Sequence, residues 1–263
     1  MKDSQHALDM VARVNNAAIE IQKYSNNRSN EEVLRRFKHA IRLLFDVQHG
    51  FSDQGDMQSQ VKSDDHQRNR DSSQLFLLSD ISLPDGDVTE SVANRHKEYS
   101  ICVFYNVALV YYRHFRHKEG LHRARKMLSL CIDMIDQEHL NISSKLYFDN
   151  RYSRYAILVF HLLGCVHIST ADVTQGSDTQ ANIFEGLYFF SKAYTLASSE
   201  YNQIHYVVHD TLSSVGWALI KANCITRAIC VFEKACQIQN QLVVNKLTCN
   251  GEIESENMIS PAA

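Results

Sequence analysis

The chain has 263 residues, of which 44% are hydrophobic and 22% are charged, and its formal net charge is -3. This is enough apolar material for a sizeable core, and the small net charge gives no general electrostatic reason to expect nucleic acid or an anionic membrane as a partner. Only two prolines occur, which favours long helices over a turn-rich β protein.

Residues 1–48 predict a hairpin of two helices. Apolar residues recur at helical spacing over residues 8–21 and again over residues 33–44. Ser29 precedes Glu32 by three positions, which is the pattern of a capping box and predicts the start of the second helix.

Residues 49–90 have a different composition. Their first part, HGFSDQGDMQSQVKSDDHQRNRDSS, is polar and without periodicity, which predicts a flexible insertion. The segment 74–84, QLFLLSDISLP, is short, apolar and closed by Pro84. Two interpretations remain open: the segment is pinned against the protein's own helices, or it is a tethered strand that occupies a groove of its own protein.

Residues 91–245 predict a helical array, and residues 246–263 predict a polar, acidic and disordered tail. Within the array, helical patterns come in antiparallel pairs joined by short polar stretches. The pairs are 92–116 with 119–136, 150–169 with 180–198, and 203–222 with 225–244. Helix pairs that recur along a chain are typical of a stacked array.

The last of these pairs carries small residues where two helices would cross. Gly216 lies on one face of the first helix, and Ala228, Phe232 and Ala235 lie on one face of the second. This spacing resembles the helical hairpin of the tetratricopeptide repeat (TPR) family, although Asn240 stands where that family usually has proline. The resemblance implies an all-α fold, an α-α superhelix or TPR-like solenoid of about four antiparallel helix hairpins.

The stretch FYNVALVYYR (residues 104–113) resembles the first helix of another such repeat. Phe104 and Tyr111 stand in the large places and Ala108 in the small one, where a neighbouring helix would cross. Ala124 on the second helix is about one turn further away than the family spacing. Because the helix is apolar all round, we expect it to be covered on both sides. The other two pairs resemble the repeat less closely.

The resemblance implies that one stripe of the first helices lines a concave surface. Aromatic anchors flanked by Arg and Lys suit an extended or helical peptide of acidic character, so we expect a non-enzymatic protein–protein interaction scaffold or adaptor. The alternative is that these aromatic residues belong to the core. The expected partner-binding residues are Tyr105, Leu109, Tyr112, Arg113, His161, Cys165, Asp210, Ser213, Trp217 and Lys221.

No catalytic, cofactor or metal site is predicted. The chain contains no phosphate-binding glycine loop, no HExxH and no GxSxG, so the common hydrolase and nucleotide-binding patterns are missing. His205 and His209 are four residues apart on a predicted helix, but no third metal ligand lies near them in the sequence.

Residues 113–126, RHFRHKEGLHRARK, contain six Lys or Arg and one Glu. Such a run is typical of a solvated turn between helices, and the functional alternative is an edge that binds anions or RNA. The candidate anion-binding residues are Arg116, Lys118, Arg123, Arg125 and Lys126. A self-assembling structural subunit, built by stacking of terminal helices, is a further alternative.

The seven cysteines show no CxxC pairing and mostly interrupt apolar stretches, which predicts buried free thiols. The opening residues MKDSQHALDM lack the apolar run of a secretory signal, and the apolar runs 101–112 and 156–168 fall short of the roughly 20 residues of a membrane helix. We therefore expect an intracellular, cytoplasmic protein without a membrane partner.

Overall fold

The computed structural model describes residues 2–24, 30–49, 80–83, 91–139, 150–201 and 205–256. Within these ranges the chain forms eight α-helices and no strand, so the predicted all-α class is confirmed. In chain order the helices are α1 (Lys2–Tyr24), α2 (Asn30–His49), α3 (Val92–His114), α4 (Lys118–His139), α5 (Asn150–Val173), α6 (Ser177–Glu200), α7 (Tyr206–Lys221) and α8 (Ile225–Glu256).

Each helix packs against the next one along the chain, and α3 also contacts both α1 and α5. The main apolar core runs from α1 through α5 and includes residues of α6. A smaller core joins α5 to the last three helices through side chains such as Ile157, Ala197 and Leu212. Burial of apolar surface between neighbouring helices is therefore continuous along the chain.

The α3 helix is buried on all sides, as its sequence predicts. Cys102, Val103 and Ala108 point in three well-separated directions around the helix axis, and all three are fully buried. Ser91 begins the helix, because its hydroxyl accepts a hydrogen bond from the backbone nitrogen of Asn94 at 3.3 Å. The helix is covered on every side because it contacts α1, α2, α4 and α5.

Glycines mark close approaches between the helices of the last two hairpins. A Cβ atom at Gly164 would lie 2.7 Å from the ring of Phe190, and one at Gly216 would lie 2.8 Å from the ring of Phe232. Each phenylalanine ring therefore fills the space that a side chain at the facing glycine position would need. The contact of Gly216 with Phe232 brings together two residues that the predicted hairpin places on facing helices.

The turn between α7 and α8 is closed by Asn223, whose φ angle is 59°. Its backbone nitrogen donates to the carbonyl of Ile220 at 2.9 Å, and the nitrogen of Cys224 donates to the carbonyl of Leu219 at 2.9 Å. These two bonds form a Schellman motif, in which an asparagine takes the left-handed position that glycine usually fills. The motif lets α8 begin at Ile225, immediately after the turn.

The helix boundaries differ from the expectation at the C-terminus. The α8 helix continues to Glu256, into the range predicted as a disordered tail. The predicted insertion and its apolar segment lie outside the described residues, apart from residues 80–83 and the helix ends that flank the insertion. The capping residue Ser29 also lies outside them.

One helix is apolar and long enough to cross a membrane by length and composition. It covers Tyr152–Val173, and 67% of its most apolar window is buried inside the fold. The expectation from uninterrupted apolar runs had excluded it, because His161 breaks the run. Its burial against neighbouring helices accounts for the apolar composition.

The side chains of six cysteines are described, and all six are free thiols. Cys102 and Cys131 are buried, as predicted, whereas Cys230 and Cys236 on α8 are exposed. The prediction of buried thiols therefore fails for α8, because no further described helix covers its outer face.

Candidate functional site

Residues 80–83 lie between α1 and α3 and are held there by three asparagine side chains. The three asparagines are Asn15 and Asn16 of α1 and Asn106 of α3, and we call them the amide clamp. We call the space that they line the α1–α3 groove. Asn15 and Asn106 are fully buried, in helices whose buried side chains are mostly apolar.

Asn106 binds both backbone polar groups of Ile81. Its Oδ1 accepts from the nitrogen of Ile81 at 2.8 Å, and its Nδ2 donates to the carbonyl of Ile81 at 2.8 Å. The same carbonyl accepts from Nδ2 of Asn15 at 3.1 Å. Asn106 also donates to Oδ1 of Asn15 at 2.9 Å, so α1 and α3 are joined through the amides that hold the segment.

Asn16 repeats the arrangement two residues further along. Its Oδ1 accepts from the nitrogen of Leu83 at 2.9 Å, and its Nδ2 donates to the carbonyl of Leu83 at 2.8 Å. Bonding of the N–H and C=O of every second residue is the way in which a neighbouring strand pairs with an extended chain. The amide clamp therefore recognises backbone and places no demand of its own on the side chains of the segment.

Two side chains anchor the segment. Leu83 is only 1% exposed and belongs to the main core. The Asp80 carboxylate lies 3.3 Å from a guanidinium nitrogen of Arg113, and its side chain is only 9% exposed. A carboxylate with so little access to water needs a cationic partner, and Arg113 supplies it. The groove thus holds an acid of the segment at one end and an aliphatic side chain at the other.

Two of the expected partner-binding residues are not accessible. Tyr105 and Leu109 are fully buried, because the stripe that would face a partner is covered by other elements of the chain. Burial raises the pKa of the Tyr105 hydroxyl, and the charge of Asp80 raises it further. The hydroxyl of Tyr105 has no hydrogen-bond partner in the described part of the structure.

Tyr112 lies where α3 meets α5, and His161 lies where α5 meets α7. Tyr112 is partly buried and interacts with Ser169 and Cys165 of α5, and burial raises the pKa of its hydroxyl. His161 is buried, and its Nε2 lies 2.9 Å from the hydroxyl of Ser214 on α7. Burial lowers the pKa of His161 to about 4 and raises that of Cys165 to about 12. Both groups are therefore uncharged at neutral pH.

The expected residues on α7 form the accessible part of the set. Trp217 is 64% exposed and meets the ring of Phe232 edge-on, with centroids 5.5 Å apart. Lys221 forms an ion pair with Asp172 of α5. Asp210 accepts from Nδ1 of His209 at 2.8 Å, and Ser213 is half-buried beside them.

The expected anion-binding residues are all exposed, but they do not converge on one point. Arg116 stacks on the ring of Tyr112 at 5.0 Å, and Arg123 pairs with Glu119. Lys118 and Arg125 line an open cleft of about 650 Å³ between α4, α5 and α6, and Lys126 does not. Carboxylates of Glu119, Asp178 and Glu185 share this cleft, which reduces its attraction for anions.

The two histidines at the start of α7 have separate roles. Nδ1 of His205 accepts from the backbone nitrogen of Val207 at 3.2 Å and caps the helix. His209 faces Asp210. Across the described ranges, no group of three or more His, Cys, Asp and Glu side chains is arranged to hold a metal ion.

The amide clamp was missed by reasoning from the sequence, although one sign of it was present. Asn106 interrupts the apolar run of α3, and Asn15 and Asn16 interrupt the apolar stripe of α1. A polar side chain in a helix that is apolar all round must find a hydrogen-bond partner in the core. Here the partner is the backbone of residues 81 and 83.

Comparisons of the chain with models of protein families, with curated proteins and with solved structures found no significant match in any of the three.

Proposed function

We propose that this protein is a non-enzymatic interaction scaffold, a TPR-like α-α superhelix whose inner surface binds a partner peptide in extended form. The observation that carries the proposal is the amide clamp, which holds an extended backbone in a groove between two helices. Side-chain amides that pair with backbone groups are a means of binding peptides of varied sequence, since every residue but proline offers the same N–H and C=O.

The order of helix contacts supports the superhelix. The odd-numbered helices are linked side by side through polar side chains: Asn15 with Asn106, Tyr155 with Glu98, and His161 with Ser214. The even-numbered helices pack against them as the second members of hairpins. In an array of this kind the first helices of all the hairpins line one surface.

That surface continues beyond the α1–α3 groove. Arg113 at the end of α3 and Lys221 at the end of α7 are cations on the odd-numbered helices. Trp217 is an exposed aromatic residue on the same helix as Lys221. Aromatic anchors and cations at the rim favour a peptide with acidic character. A cytoplasmic location belongs to the same proposal, because the six described cysteines are free thiols.

The test uses the purified full chain as bait. The double variant Trp217→Ala with Tyr112→Ala removes two aromatic side chains from the inner surface, and Phe184→Ala with Tyr188→Ala removes two exposed aromatics from α6. We expect the inner variant to lose a partner that the wild type and the α6 variant both retain, with helicity unchanged by circular dichroism. Retention of every partner by the inner variant would contradict the proposal.

A second candidate function is self-assembly, which the last hairpin favours. Trp217, Ile225 and Ile229 are 64%, 49% and 53% exposed and lie on α7 and α8, at one end of the row of helices. Apolar exposure at the end of a helical array is what stacking of a second array would cover. Light scattering over a concentration series tests this, and a constant monomer mass at high concentration would exclude it.

A further inference from the structure

Segment 80–83 supplies the chemistry of the partner that the α1–α3 groove would take. We propose that the groove recognises an extended peptide with the pattern Asp–aliphatic–any residue–Leu, and that segment 80–83 occupies this site in cis until such a partner displaces it. This rests on the proposed function and deepens it, because it names the class of peptide and the way in which access to the groove is controlled.

The three determinants of the pattern are separate in the structure. The amide clamp binds the backbone at Ile81 and Leu83, two positions that face the same way in an extended chain. Arg113 binds the carboxylate of Asp80, which precedes the clamped residues. The buried site of Leu83 in the main core requires an aliphatic side chain. Residue 82 is half-buried, and no anchor falls on it.

The lining of the groove is that of a surface which can be exposed to water. While the segment is in place, the amides pair with the backbone groups of Ile81 and Leu83, which apolar side chains of similar volume could not do. The amides of Asn15 and Asn106 are fully buried when the segment is in place, yet they can be hydrated when it leaves. Polar groups on both helices therefore keep an emptied groove soluble.

The tether makes the internal segment a strong competitor. Leu83 and the α3 helix, which begins at Val92, belong to one chain, so the effective concentration of the segment is on the order of millimolar. The apparent association constant for a peptide added in trans equals the intrinsic constant multiplied by the fraction of molecules whose groove is empty. Weakening the segment without altering the groove should therefore raise that affinity.

The experiment uses a fluorescein-labelled peptide with the sequence of residues 78–85, LSDISLPD, and measures anisotropy against the full chain. In the released variant, Asp80→Ala with Leu83→Ala, we expect the peptide to bind at least about tenfold more tightly than to wild type. The matched control Ser82→Ala changes a residue that carries no anchor and should bind as wild type does. Adding Asn106→Ala to the released variant should abolish binding, because the clamp is then incomplete.

Two further measurements keep the proposal falsifiable if the released variant, or the released variant with Asn106→Ala, folds poorly. The single variant Asp80→Ala removes only the ion pair with Arg113 and should also raise the affinity. In the released background, Arg113→Gln should bind the labelled peptide no better than it binds LSAISLPD, the same peptide with alanine in place of the acid. Equal binding of both peptides to the released variant, or equal affinity of wild type and released variant, overturns the proposal.

The outcome also separates this inference from the proposed function. If the released variant fails to bind LSDISLPD while Trp217→Ala with Tyr112→Ala still removes a partner, the scaffold stands and the groove is a structural contact. If neither effect occurs, both proposals fail.

Discussion

Gly164 offers a test of the close packing between α5 and α6. A Cβ atom at this position would lie 2.7 Å from Cδ1 and Cε1 of Phe190 and 2.9 Å from its Cγ. These atoms form the flank of the ring, close to the backbone of α6. Phe190 is only 5% exposed, and its ring packs against His161 with centroids 5.3 Å apart. The ring therefore has little room to turn away from a methyl group.

Two opposing effects set the size of the change in Gly164→Ala. Overpacking a core contact of this kind costs about 1–3 kcal/mol, whereas alanine is favoured over glycine inside a helix by about 1 kcal/mol. The packing term is the larger one here, because the clash falls on the flank of a buried ring. We expect the free energy of unfolding to fall by up to about 2 kcal/mol, the difference of the two terms, and the melting temperature by up to about 8 °C.

Gly216→Ala is the matched control. Its Cβ would meet Cζ, Cε1 and Cε2 of Phe232 at 2.8, 2.9 and 3.0 Å, which are atoms at the tip of a ring that is only partly buried. Because the tip of this ring can swing towards solvent, we expect the helix-propensity gain to offset the contact. Urea unfolding followed by circular dichroism at 222 nm measures both variants. A Gly164→Ala protein at least as stable as wild type would refute the packing argument.

Three further predictions concern single groups. The pKa of His161 is lowered to about 4 from 6.5, so the unfolded chain binds a proton that the folded chain excludes; the free energy of unfolding should fall by up to about 1.4 kcal/mol per pH unit as the pH drops from 6.5 to 4. Urea unfolding at several pH values should show that His161→Leu lacks this component, and an identical pH profile would contradict it. Asn223→Val should lower the free energy of unfolding by about 1–2 kcal/mol because its φ angle is positive, while Asn223→Gly should keep it, and equal urea midpoints for the two variants would contradict the turn geometry. Mass spectrometry after thiol labelling should find Cys230 modified in the native protein and Cys131 only after unfolding, and native labelling of Cys131 would contradict its burial.

Most of the helical architecture follows from the sequence. Apolar periodicity predicts each of the eight described helices. The largest difference is the end of α8, where helix continues to Glu256. Beyond residue 245 the sequence is polar and acidic, and periodicity cannot mark the end of a helix that has no apolar face. The turn at Asn223 was also not predicted as a Schellman motif, since glycine is its usual signal.

The candidate site follows from the sequence only in part. The pattern places Tyr105, Leu109 and Tyr112 on one stripe, and the structure buries the first two completely. Large apolar side chains look alike in a sequence whether they line an open surface or lie beneath another segment. Trp217 and Lys221 remain accessible because no described segment covers that end of the row.

The asparagines distinguish these two situations where the apolar residues cannot. An apolar stripe beneath another helix has no need of buried amides, because a helix pairs its own backbone groups, whereas an extended segment must find partners for them. Each amide left without partners would be destabilising. Asn15, Asn16 and Asn106 all find partners in the backbone of residues 81 and 83, so their positions record where an extended chain lies against α1 and α3. The same amides can pair with any extended chain of suitable anchors, since they bind groups that nearly every residue carries. Exchange of segment 80–83 for an external peptide would therefore conserve the hydrogen bonds of the clamp and change only the two anchors. The decisive measurement is therefore the difference in affinity between Asp–aliphatic–any residue–Leu peptides and their alanine counterparts.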